Sequence, residues 1–73
     1  MLDLQRPMNL TVNGERRAFE DVAHVAALVA VLGLDGRKVA VERNLEIVPR
    51  SAYQETALED GDRIEIVHFI GGG

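Results

Sequence analysis

The run Phe69-Ile70-Gly71-Gly72-Gly73 raises a chemical question before any structural one. Without Cβ atoms, residues 71–73 can thread a narrow channel and take φ values closed to other residues. Extended, the five residues from Phe69 to Gly73 reach about 17 Å, enough to carry a terminal carboxylate deep into another protein while the body stays outside. An α-carboxyl titrates near ~3.5, so Gly73 is ionised at neutral pH and is a poor electrophile until something activates it. Ordering such a tail costs about 1–2 kcal/mol of backbone entropy per residue, which contacts from the body must offset. The plain alternative is a frayed, idle end, as at most domain termini.

Little else in the chain could do chemistry. Cysteine is absent, which excludes disulfides and thiolate metal sites. His24 and His68 are the only histidines and read as ordinary surface or sheet-face residues, not as a metal pair. No acid, base and nucleophile can be assembled, and no glycine-rich loop precedes a helix, so a stand-alone enzyme is the least supported class.

Elements must position the tail, and composition bounds them. Seventy-three residues make one domain, and with one Tyr and two Phe its core must come from Val, Leu, Ile and Ala. The formal charge of −4 argues against nucleic acid, whose binders carry a basic patch. Glu55, Glu59, Asp60, Asp62 and Glu65 cluster late, with Arg63 the only base among them. Such a run reads as a solvated face, or else steers the domain toward a basic partner. No apolar segment approaches the ~20 residues that span a bilayer. Asp3, Gln5 and Arg6 interrupt the start where a signal peptide stays apolar. The expectation is a soluble, cytoplasmic protein.

Residues 1–7 read as a loose leader. In "MNLTVNGERRAF", Asn13-Gly14 joins two short strands, with Leu10 and Val12 alternating against Asn9 and Thr11. "EDVAHVAALVAVLGL" is helical: Val25, Leu28, Val29 and Leu32 form one stripe of 3.6-residue period. Asp21 is the preferred N-cap, with His24 the cap if the helix starts later. Gly33 suits the left-handed position past the helix end, and Leu34 can close the hydrophobic contact that follows. "KVAVERN" and "LEIVPR" are the third and fourth strands, the latter stopped by Pro49. Residues 50–58 are irregular with one helical turn, "EDGD" turns the chain, and "RIEIVHFI" is the last strand. There Ile64 and Ile66 share the core face, while Arg63, Glu65, Val67 and Phe69 share the other. Val67 and Phe69 are therefore candidate partner-binding residues at the root of the tail, together with Gly71 and Gly72.

"VAVERNLEIVPR", "LEDGDRIEIVHF" and the ending "IGGG" together resemble the ThiS family of sulfur carriers in thiamine thiazole biosynthesis, over residues 8–73. Residues 1–7 precede the usual start, making Met8 an alternative first residue, and the helix start lacks the family's common Thr or Ser. The resemblance implies an α+β fold, the ubiquitin-like β-grasp, with a mixed sheet of four to five strands and one helix on one face. Its body would be residues 8–70 and its tail 71–73. It implies that Gly73 is the reacting residue: a ThiF-like adenylyltransferase would adenylate its carboxylate, using its own ATP and Mg²⁺. Sulfur from a donor such as a cysteine desulfurase system would then give a thiocarboxylate for thiazole synthase. The chain would be a co-substrate with no stably bound cofactor. Three alternatives stay open. One is a carrier like the small subunit of molybdopterin synthase. Another is a ubiquitin-like modifier joined through Gly73 to lysines. The third is a non-reactive interaction module.

Overall fold

The computed structural model describes residues 7–69. Residues 1–6 of the expected leader 1–7, and the expected tail Gly71, Gly72 and Gly73, lie outside the described residues, as does Ile70.

Two hairpins and a helix come first in the folding logic. β1 (Met8–Val12) and β2 (Glu15–Phe19) pair antiparallel around Asn13-Gly14, whose φ values of 50° and 85° fit the type I′ turn that Asn-Gly favours. β3 (Val39–Arg43) and β4 (Glu46–Val48) pair around Asn44-Leu45, also both at positive φ, 52° and 73°. The second turn has no glycine. Leu45 takes the left-handed conformation with a full side chain, which costs an L-residue about 1–2 kcal/mol.

Helix α1 (Val25–Val31) starts later than Asp21. Asp21 is not its cap: at φ 60° it sits in an exposed bend, and the chain runs on extended to His24. The first four helical N–H groups explain the choice. Val25 and Ala26 donate to the carbonyls of Thr56 and Tyr53, Ala27 to His24 Nδ1, and Leu28 to His24 O. The loop after β4 thus docks on the helix start and satisfies two donors that the His24 side chain does not. At the other end Gly33, at φ 76°, donates to Ala30 O and Leu34 to Val29 O, a Schellman motif.

Strand β5 (Arg63–His68) joins the hairpins. The sheet order is β2-β1-β5-β3-β4, with β5 parallel to β1 and antiparallel to β3. This is the mixed five-stranded sheet with one helix of the ubiquitin-like β-grasp. Val25, Leu28 and Val29 from the helix pack with Leu10, Val12, Val39, Val41, Ile64 and Ile66 in one buried cluster. Leu32, the fourth residue of the helical stripe, packs half-buried at its edge. Ile64 is wholly buried, and burying a side chain of that size is worth about 1.5–3 kcal/mol.

Candidate functional site

The site is built on β5, since this strand carries the chain toward residues 71–73. Its alternation divides it cleanly. Ile64 and Ile66 are buried, while Val67 is 61% and Phe69 48% exposed on the opposite face. Ala40 lies directly across from Val67, and Phe69 donates its N–H to Lys38 O at 2.7 Å. Backbone pairing on the β3 side therefore continues one residue past β5, to Phe69, and fixes the backbone beneath the apolar pair.

Two asparagine side chains grip β5 from either side. Asn44, in the β3–β4 turn, accepts from the Arg63 N–H through Oδ1 at 2.9 Å and donates its own N–H to Arg63 O. Asn13, in the β1–β2 turn, accepts from the Ile66 N–H through Oδ1 at 2.7 Å and donates from Nδ2 to Ile66 O at 3.2 Å. Both residues sit at positive φ, which asparagine tolerates better than other side-chain-bearing residues. Neither grip was legible beforehand: Asn13 signals a turn, Asn44 was read as the end of the third strand though it lies in the turn after Arg43, and only the strand order brings β5 against them.

The acidic turn before β5 is not simply a solvated run. Glu55, Glu59, Asp60 and Glu65 are exposed, but Asp62 is buried. Asp62 accepts from Arg43 Nε at 2.7 Å, Asn44 Nδ2 at 3.0 Å and the Glu59 N–H at 2.8 Å. Burial by itself would raise its pKa; these hydrogen bonds and the guanidinium outweigh burial and hold the carboxyl below the usual carboxylate range. Asp60 accepts from the Asn9 N–H at 2.7 Å, and Gly61, at φ 91°, donates its N–H to Asn9 O at 2.7 Å. The turn that launches β5 is thereby tied to both neighbouring strands.

On the open face Glu42 and Glu65 are direct cross-strand partners, and neither has a salt bridge among the described residues. Like charges so placed are mutually destabilising, by roughly 0.2–1 kcal/mol. Ile47, 74% exposed, flanks Glu42 from β4. The two histidines do not meet: His24 caps the helix, and His68 is exposed at the end of β5 opposite Val39. Among the described residues no group of three metal-ligating side chains forms. An open concavity of about 370 Å³ is lined by Pro7, Met8, Asn9 and Asp60, around the turn that starts β5 rather than beside Val67 and Phe69.

A model of the ThiS family matches residues 10–73, which includes both asparagine grips, the acidic turn and the glycines. The chain belongs to the ThiS family. It is 43% identical over 65 residues to the sulfur carrier protein ThiS of Bacillus subtilis, covering 88% of this chain and 98% of that one. The crystal structure of the thiamine biosynthesis protein ThiS from Geobacter metallireducens matches with a TM-score of 0.77 at 38% identity, over 90% of this chain and 100% of that one. A thiazole synthase of Paramagnetospirillum magneticum is 61% identical over 66 residues, covering 90% of this chain. This ThiS-family chain spans 20% of the length of that thiazole synthase, and 20% of the one it matches in Magnetococcus marinus.

Proposed function

We propose that this ThiS-family chain is a sulfur carrier of thiamine biosynthesis that works through the carboxylate of Gly73. The observation that carries the reading is the family match through residue 73 on a body whose last strand exposes Val67 and Phe69 at the tail's root. The Gly73 carboxylate attacks the α-phosphate of ATP held with Mg²⁺ by a ThiF-like adenylyltransferase, and pyrophosphate leaves. The persulfide of a donor such as a cysteine desulfurase system displaces AMP to give an acyl disulfide, and a thiol reductant cleaves its S–S bond to leave a terminal thiocarboxylate. Thiazole synthase accepts that sulfur. Its choice as partner is supported by the thiazole synthases of which a fifth resembles this chain.

The body's part is recognition. Val67 and Phe69 supply a small apolar anchor, and the facing Glu42 and Glu65 favour a partner surface that brings a cation between them. Gly71 and Gly72 pass the partner's channel without Cβ atoms. No helix among the described residues is long and apolar enough to cross a membrane, and we place the cycle in the cytoplasm, where ATP is available.

The test is the intact mass of the full chain after incubation with the adenylyltransferase, ATP, Mg²⁺, a sulfur donor and a thiol reductant. Replacement of one terminal oxygen by sulfur is the expected result. An unchanged mass, or a ladder of conjugates joined through Gly73 to lysines, overturns the carrier reading, the ladder in favour of a protein modifier.

A further inference from the structure

The two neighbours of β5 end at different heights. β3 accompanies it to the Phe69–Lys38 hydrogen bond. β1 stops after the Val12–Ile64 pairing, because the chain turns back at Asn13-Gly14. The next rung on that side is made by a side chain, the Asn13 carboxamide bonded to both the N–H and the C=O of Ile66. One amide supplies both of the hydrogen bonds to Ile66 that a longer β1 would have supplied from two residues of the parallel ladder. The turn alone does not call for this group. Glycine suits φ 50° at least as well, and aspartate offers an acceptor but no donor for the Ile66 carbonyl.

We propose that Asn13 is a positioning residue for the reactive tail. Its carboxamide holds β5 between two neighbours at Ile66, so that Val67 and Phe69 keep one position at the root of the tail. The proposal rests on the carrier reading. Without the amide the β1-side contacts end at Ile64, so residues 65–69 are held from the β3 side alone, and the Phe69–Lys38 rung opens more often. A partner that docks on Val67 and Phe69 must then order the strand end as it binds, and affinity falls by that cost.

The experiment compares the full chain with Asn13→Gly, which keeps the turn and removes the amide, and Asn13→Asp, which keeps only an acceptor. Leu58→Val, a buried change outside β5, serves as a control chosen for comparable loss of Tm. Two quantities are read: amide hydrogen exchange at Ile66 and Phe69 in the isolated protein, and KM and kcat for pyrophosphate release with a ThiF-like adenylyltransferase. Asn13→Gly should speed exchange at both amides and raise KM about fivefold with kcat unchanged, the effect of one net hydrogen bond of ~1 kcal/mol. Asn13→Asp should fall between, and Leu58→Val should leave Phe69 exchange and KM at their original values. Unchanged Phe69 exchange in Asn13→Gly, or an equal rise of KM in Leu58→Val, overturns the proposal. An original chain that releases no pyrophosphate overturns the carrier reading instead, and the exchange data still decide whether the amide holds the strand.

Discussion

Replacing Asp62 with alanine removes a carboxylate that serves three donors at once. Arg43 Nε, Asn44 Nδ2 and the Glu59 N–H lose their partner together. The side chain of Asp62 is 7% exposed and that of Arg43 27%, so water replaces the lost bonds poorly. Breaking a buried pair from one side costs about 3–5 kcal/mol, and the partial exposure of Arg43 places this case near the lower end, about 3 kcal/mol. In a domain of this size each kcal/mol moves Tm by about 4–8 °C, so a fall of about 12–24 °C is expected. Asp62→Asn, which retains an acceptor but loses the charge, should cost about half as much.

The pH dependence gives a sharper check. The folded pKa of Asp62 lies below its unfolded value, so its stabilisation is fully present above the unfolded value of about 4. It is lost as pH falls through the folded pKa. Urea titrations of the original chain and Asp62→Asn should therefore differ most at pH 7 and converge in acid. A difference that is constant from pH 7 to pH 2, or an alanine variant weakened by less than 1 kcal/mol, would refute the account of Asp62 as the buried centre of the turn.

The two faces of β5 should separate stability from recognition. Ile66→Ala should cost about 2–5 kcal/mol of folding free energy in a urea titration. Phe69→Ala should leave the urea midpoint nearly unchanged and weaken binding to the adenylyltransferase or thiazole synthase by about 1–3 kcal/mol in calorimetry; the reverse pattern would mean that the faces are exchanged. In the β3–β4 turn, Leu45→Gly should raise stability by up to about 1 kcal/mol, because glycine relieves the left-handed strain at φ 73° and the lost side chain is 72% exposed. A lower Tm for that variant would show that Leu45 contributes packing the exposed position conceals.

What could be read in advance was what depends on near neighbours. The Asn13-Gly14 hairpin, the stripe of Val25, Leu28 and Val29, the helix stop at Gly33-Leu34 and the alternation along β5 are all set within a few residues. The helix start was not so readable. Asp21 is the better cap by type, yet His24 caps because Tyr53 and Thr56 supply the acceptors that fix the first turn. Asp62 looked like one acid among five, because a charge count carries no register; burial comes from the turn that places it under Arg43 and Asn44. The Asn13 grip joins residues 53 apart in sequence, and no local pattern could announce it. The strand order was expected only through family resemblance, since pairing β5 between β1 and β3 is a non-local choice.

The middle strand of the sheet is also the last of its five strands in sequence. A chain broken between Val48 and Arg63 keeps both hairpins but lacks the piece that joins them, leaving the facing edges of β1 and β3 open and the core without Ile64 and Ile66. Such fragments are exposed to proteolysis and to wrong strand pairing. Translation and folding are thereby coupled in a useful way: no closed body exists until synthesis has passed His68. Any partner that recognises the folded sheet is, by the same contact, telling chains that carry β5 from those that lack it.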